Sequence, residues 1–414
     1  MMCIIKLFGA AMLLSIGALA QGPVLPLDSV LSRIERNNMQ LHAFELRAQA
    51  FRYSADAATA QMAPMVGLGT FMTPYPGQMK MEPSDAGQLM LRIEQDITNP
   101  SKLNARKRYI ESQAAIEQAG KAVTWNDLRA EARRQYYTWL VARQRISVLE
   151  RNERIMVTMR KIEEVRYPYN QSQLGGIYKV DARIEENRNM IRMQQGEIAR
   201  AHAYLNGLMN APYDFQFTVD TTLSVTASSV AVDTAYLAAA RGDIRRMDAN
   251  IQSMRLDIES MNRQRRPDFK IQYDHMYPLD AMMPNQYSVM AMVSIPIAPW
   301  ASKMYKSGVK GMQLNIQAME QERKAMLIES QGMAYGMKAE IATMERRIRG
   351  LEETVIPQMQ KALDAYYINY QENKIQLPVV LDAWEALNML QTQALEEKLR
   401  LYQMIADYEK SLYR

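Results

Sequence analysis

Two hydrophobic patterns alternate along this chain. In "DFKIQYDHMY" the residues Phe269, Ile271, Tyr273, His275 and Tyr277 fall on one face, and Asp268, Lys270, Gln272 and Asp274 fall on the other. "QLMLRIEQDI" alternates likewise, with Leu89, Leu91 and Ile93 against Arg92, Glu94 and Asp96. This period of two predicts four strands, over about 65–73, 87–97, 268–277 and 286–297. Strands of about ten residues suit a tilted crossing of a bilayer, with one face to lipid and one to a wet lumen. A soluble β-sandwich would alternate too, but with more than four strands. Four cannot close a barrel, since about eight is the smallest number that does. Strands that cross a membrane would then share one barrel among several chains, because an open edge in lipid leaves backbone groups unpaired.

After each strand pair the pattern changes to helix. From Lys102 to about Arg166 there is no proline and only one glycine, Gly120. That run of about 65 residues corresponds to roughly 100 Å of helix. A second run, from Lys303 to about Tyr367, is interrupted by glycines and by Pro357, which is expected to bend the helix rather than end it. The apolar seam in "AMLIESQGMAYGMKAEIATMERRIRGLEETV" is narrow and built largely from Ala, Gly, Met, Ile and Leu. Such a seam fits a wide tube of helices packed side by side, and equally a long coiled coil.

The whole plan occurs twice. Ser101-Lys102 recurs as Ser302-Lys303, and Asp181-Ala182 recurs at the same interval as Asp382-Ala383. The expected organisation is a first copy over 21–210, a linker over 211–235 and a second copy over 236–414, with turns between the helices at about 167–180 and 368–380. The linker has Pro212 and is rich in Thr, Ser and Val, which predicts a non-helical segment with a short strand, packed against the outside of the helices.

Composition restricts the functional classes. The opening "MMCIIKLFGAAMLLSIGALAQ" has Lys6, an apolar run and Ala-Leu-Ala, as a secretory signal peptide over 1–20 does. The run of about 14 apolar residues is short for a bilayer-spanning helix. The single cysteine, Cys3, lies inside it without a lipid-anchor motif, so the exported chain would have no disulfide, thiol nucleophile or Cys-based metal site. The net charge of +5 arises from 50 basic and 45 acidic residues spread along the chain, which implies solvated helix faces and not nucleic acid. His42, His202 and His275 are scattered, and no nucleophile elbow or phosphate loop occurs. Neither an enzyme nor a cofactor is indicated.

Together with the duplicated plan, "AYLNGLMNAPYDF", "AAARGDIRRMDANIQSM" and "YYINYQENKIQLPVVLDAWEAL" resemble the TolC-type outer-membrane efflux proteins in order and spacing. The resemblance implies a mixed α and transmembrane β fold. It implies a homotrimer whose twelve-stranded β-barrel, four strands per chain, sits in outer-membrane lipid and continues into a long periplasmic α-helical barrel. It further implies a passive exit duct docked through its periplasmic tip to an adaptor protein and an inner-membrane transporter of the RND type. Two other classes compete with this reading. A periplasmic adaptor should show one helical hairpin with flanking β-domains, and a structural periplasmic coiled-coil protein needs no amphipathic strands.

On that resemblance Asp382, in "VVLDAW", takes the place of the acidic ring that narrows the closed pore, with Asp181 as its first-copy equivalent. The family's further aspartate is replaced here by Val379. Each aspartate could equally serve to begin a helix by capping free N–H groups. The adaptor-docking candidates are Tyr169, Ser172, Leu174, Gly175, Gly176, Tyr370, Asn373 and Ile375, with Asn373 where glycine is usual. Thirty-three methionines are present, and most suit helix packing. Those at the barrel loops, Met72, Met79, Met81, Met282 and Met283, with Met276, Met290 and Met292 in or near strands, are candidate soft ligands for Cu(I) or Ag(I). Some family members export those metals. Trp300, directly after a strand, suits an interfacial aromatic belt, whereas Trp125, Trp139 and Trp384 suit helix seams.

Overall fold

A computed structural model describes residues 23–78, 82, 86–228, 231–280, 282–296 and 299–414. The expected signal peptide, Met79, Met81 and the side chain of Trp300 lie outside what it describes. In chain order the elements are β1 (Val24–Leu25), α1 (Leu27–Asn37), α2 (Met39–Ala57), β2 (Met65–Phe71), β3 (Gln88–Ile97), α3 (Pro100–Arg166), α4 (Leu174–Leu208), β4 (Thr218–Val219) and α5 (Thr234–Ala240). They continue with α6 (Gly242–Arg263), β5 (Phe269–Pro278), β6 (Gln286–Val293), α7 (Pro299–Gly350), α8 (Ile356–Gln371) and α9 (Leu377–Ser411). The chain forms two compact units. One draws on residues 23–37, Glu131–Thr226 and Met344–Gln403, and the other on Asn38–Ala130, Ala227–Thr343 and Met404–Arg414. Each unit therefore takes segments from both sequence copies.

The second of these units holds the four-stranded antiparallel sheet, ordered β2-β3-β5-β6. Its register turns the sequence alternation into two distinct faces. Leu68, Leu91, His275 and Tyr287 line up across the sheet, as do Val66, Ile93, Tyr273 and Val289, and these apolar rows are largely exposed. On the opposite face Arg92 donates from Nε to Asp274 Oδ1 at 2.7 Å, and Gln272 donates to the other Asp274 oxygen at 2.7 Å. Lys270 on the same face reaches Glu94, and lies 3.5 Å from Asp96. A sheet apolar on its exposed side and ion-paired on the other is built to meet two different solvents. Its outermost strands, β2 and β6, have one sheet neighbour each among the described residues.

Where strand passes to helix, Asp268 ties the joint together. Its carboxylate accepts the Asn99 backbone N–H at 3.0 Å and pairs with Lys102 Nζ, while the Asn99 side chain donates to the Pro267 carbonyl at 3.1 Å and accepts from the Ser101 N–H at 3.0 Å. Ser294 closes the other side, its N–H donating to the Asp268 carbonyl at 2.9 Å and its hydroxyl accepting from the Asp268 N–H at 3.0 Å. This explains why β6 stops at Val293 and not near the expected 297: Ser294 turns its hydrogen bonds to Asp268, and Pro296 has no N–H to donate. Pro100 and Pro299 each open their helix, where the missing N–H would have had no intrahelical partner anyway.

Helix α7 buries Leu327, Ala334, Ile341 and Ile348 at intervals of seven, with Ser330 between the first two. That is the narrow seam of a helix packed as in a coiled coil. Pro357 neither ends nor sharply breaks the second helical run. The five residues Leu351–Val355 form a wide π turn just ahead of it, which accommodates the residue that cannot donate to the preceding turn.

In the first unit, β1 and β4 pair in parallel, joining the start of the chain to the inter-copy linker. The buried Tyr136 fixes this pair from α3, its hydroxyl donating to the Leu25 carbonyl at 3.0 Å and accepting from the Asp220 N–H at 2.8 Å. Phe217, beside β4, packs against Trp139 at 5.0 Å between ring centres.

Burial pushes the Asp268 carboxyl up, but the Asn99 N–H and Lys102 together hold it below its ordinary value of 3.8. A depressed carboxyl stabilises the fold above its unfolded pKa, and that stabilisation is lost as pH falls through the folded value. The gap in melting temperature between wild type and Asp268→Asn should therefore be full at neutral pH and close below about pH 4. A gap independent of pH would show that the charge at position 268 does not hold the joint.

Candidate functional site

The first unit ends in two helical turns, one joining α3 to α4 and the other joining α8 to α9. Both turns are made by the same hydrogen bonds. Asn170 N–H donates to Tyr167 O at 3.1 Å and Gln171 N–H to Arg166 O at 3.2 Å; Asn373 N–H donates to Tyr370 O at 3.0 Å and Lys374 N–H to Asn369 O at 2.8 Å. This is the Schellman arrangement, which needs a left-handed residue at its corner. Asn170 (φ 56°) and Asn373 (φ 59°) supply it. Asparagine tolerates that region better than other residues with a side chain. Asn373 thus keeps the backbone that glycine would give, and its presence does not alter the turn.

The turns are shorter than the expected 167–180 and 368–380, because the predicted helix breakers start helices. Gly175 and Gly176 lie in the first turn of α4, and Pro378 lies in the first turn of α9. Gly176 also permits close packing: a Cβ there would stand 3.1 Å from the Leu377 side chain and 3.2 Å from Glu163 Oε2.

Under the turns lies a core of Met156, Met159, Val180, Leu363, Leu381 and Trp384, with their neighbours. Into its end project two groups from α3. Glu163, 4% exposed, accepts the Tyr370 hydroxyl at 2.5 Å. Arg166 stacks its guanidinium 4.8 Å from the Tyr370 ring centre and donates to the Tyr370 and Gln371 carbonyls at 2.7 and 3.0 Å. Ser172 donates its hydroxyl to the Glu163 carbonyl at 2.9 Å. Burial and the Glu163 carboxylate both push the Tyr370 hydroxyl well above its ordinary pKa, so it stays a proton donor. These contacts bind the end of α3 to the end of α8. Between the turns is an open cleft of about 650 Å³, edged by Arg166, Gln171, Lys179, Asn373 and Gln376.

The docking candidates fall into two groups. Tyr169 (74% exposed), Leu174 and Gly175 stand free at the surface, with Asn373 exposed beside them and Ile375 half-buried. Tyr370, in contrast, is 1% exposed, and Ser172 and Gly176 face Glu163. Tyr370 is a framework residue and cannot itself meet a partner. Glu163 and Arg166 were missed in the sequence, since charged residues one turn before a helix end look like ordinary solvated positions.

The two aspartates differ. Asp382 is exposed, is the sixth residue of α9, and has no ion pair among the described residues. Asp181 is the eighth residue of α4, and its carboxylate lies 2.7 Å from Arg160 Nε. Neither caps a helix start, so the capping explanation fails for both. Nor are they equivalent, because the turns match at Tyr167 with Tyr370 and at Leu174 with Leu377. Asp181 then corresponds to the buried Trp384.

Among the described residues no cluster of three or more His, Cys, Asp or Glu could hold a metal ion. Met282 is exposed on a loop and Met283 half-buried beside it. Strand register instead sets Met90 opposite Met276 on the charged face, and places Met290 and Met292 on that face as well.

A sheet with an exposed apolar face, fed twice into long helices that end in paired turns, is a fold shared with solved outer-membrane channels. Residues 30–168 match the family model described as outer membrane efflux protein. No curated protein matches the sequence. Among solved structures the chain is similar to the outer-membrane channel OprN (15% identity, TM-score 0.72, covering 93% of this chain and 89% of that one). It is similar also to CusC, described as forming a transmembrane channel (15%, 0.72, 93% and 91%), and to the outer membrane protein VceC of Vibrio cholerae (17%, 0.65, 93% and 95%). The chain has their fold over 93% of its length.

Tyr370→Phe removes the donor to a buried carboxylate, a loss of about 1.5–3 kcal/mol. Amide hydrogen exchange across residues 163–176 and 366–377 should accelerate roughly ten-fold or more, with the sheet unchanged. Unaltered protection at the turns would show that the hydroxyl does not hold the two helix ends together.

Proposed function

We propose that this protein is the outer-membrane channel of a tripartite efflux system, a passive trimeric exit duct that extends from the outer membrane into the periplasm. The observation that carries the reading is the amphipathic four-stranded sheet with two outermost strands still available for pairing. A sheet that enters lipid must close, and three copies give twelve strands, enough for a barrel. The long helices would continue that barrel as a periplasmic tube. Their turns would form its far end, where a periplasmic adaptor and an inner-membrane transporter dock.

In this reading Tyr169, Leu174, Gly175, Asn373 and Ile375 meet the adaptor, while Glu163, Arg166 and Tyr370 set the shape they present. Asp382, exposed and without an ion pair among the described residues, is the gate carboxylate. Transport requires no chemistry from the chain, because the transporter supplies both energy and cargo. A soft-metal cargo is a second reading, favoured by the methionines that the strand register gathers on the charged face. Thioethers bind Cu(I) and Ag(I) weakly enough to hand them on.

Cell fractionation and planar bilayers test the duct. The protein should be recovered in the outer membrane as a trimer that conducts ions. An inner-membrane or soluble monomer without conductance overturns the proposal. For the metal reading, a deletion strain should become sensitive to copper and silver, and replacing Met90 and Met276 together by Leu should reproduce part of that sensitivity. A deletion strain with normal metal tolerance removes this cargo.

A further inference from the structure

The matched turns fix a register between α4 and α9 that the sequence repeat does not. Besides the two Schellman pairs, Gly176 N–H donates to Gln173 O at 2.9 Å and Val379 N–H to Gln376 O at 3.2 Å, again at equivalent places. The buried residues agree: Ile177 matches Val380, Val180 matches Ala383, and Ile184 matches Leu387, all buried. Counted this way, the counterpart of Asp382 is Lys179. Both are exposed, and neither has an ion pair among the described residues. Asp181 lies two residues further along, about 200° around the helix. It stands at the place of buried Trp384, with its charge beside Arg160.

We propose that Lys179 is a charge-selectivity determinant of the channel's periplasmic mouth, occupying in the first copy the position that Asp382 occupies in the second. The inference rests on the duct reading. Each chain then contributes one cation and one anion at equivalent positions, so that a trimer lines its mouth with three of each. A ring of six carboxylates would favour cations and bind multivalent ones. The mixed ring is close to charge-balanced and admits anionic solutes as readily as cationic ones.

The test is the reversal potential of the purified trimer in planar bilayers under a potassium chloride gradient. Wild type should discriminate little between cation and anion at the mouth. Lys179→Ala should shift the potential toward cation selectivity, Asp382→Ala toward anion selectivity, and the double variant should return close to wild type. Lys179→Asp should shift further than Lys179→Ala and make the channel sensitive to block by a trivalent cation that leaves wild type open. Asp181→Ala should move nothing. Lys179 variants that form conducting trimers with an unchanged reversal potential overturn the inference while leaving the duct intact, as would an Asp181→Ala shift equal to that of Asp382→Ala. If Lys179→Ala yields no trimer, Lys179→Gln provides the same comparison. Failure of wild-type trimers to conduct overturns the duct reading and this inference together.

Discussion

A backbone in lipid has no water to satisfy its N–H and C=O groups, so every strand edge that enters a bilayer must find another strand. The rest of this structure depends on that constraint. One chain supplies four strands in the order β2-β3-β5-β6, with apolar rows exposed on one face and an Arg92–Asp274 and Lys270–Glu94 ladder on the other. The apolar face calls for lipid, the charged face calls for water, and the two outermost strands call for neighbours. The proposed trimer answers all three at once.

The joint between sheet and helix follows from local chemistry. Asp268 holds Asn99 and Lys102 with its carboxylate and Ser294 with its backbone N–H and carbonyl, so the end of β3, the start of α3, the start of β5 and the end of β6 meet at one residue. At the far turns another carboxylate, Glu163, plays a comparable part with Tyr370 and Arg166. Between these points the helices need only a narrow seam. The seven-residue burial pattern of α7 shows how little apolar surface such a seam requires.

The fold class was legible in the sequence because strand alternation and helix length are properties of neighbouring residues. Tyr273 shares a face with Ile271 and His275, and Leu91 with Leu89 and Ile93, whatever else the chain does, and the run from Lys102 to Arg166 without proline favours one long helix. What the sequence hid depends on distant residues or on backbone detail. Glu163 gains its meaning from Tyr370, two hundred positions away, and nothing near it signals burial. Tyr370 looked like a surface aromatic because its turn is polar. Asp181 looked like the twin of Asp382 because the repeat interval was carried from the strand ends to the turns. The second helical run holds extra residues, part of them in the π turn at Leu351–Val355, so the interval no longer holds there. The hydrogen bonds of the turns and the buried positions that follow them reveal the shift.

The central claim, that chains share one barrel, can be tested through the edges themselves. The sole native cysteine is Cys3, so in a Cys3→Ser background introduced cysteines report alone. One cysteine at Leu68 in β2, with a second scanned over Tyr287, Val289 and Ala291 in β6, places both on the apolar face. Oxidation in isolated outer membranes should yield disulfide-linked dimers and closed trimers for at least one pairing. Exclusively intrachain crosslinks, or monomers at every scanned position, would contradict the shared barrel.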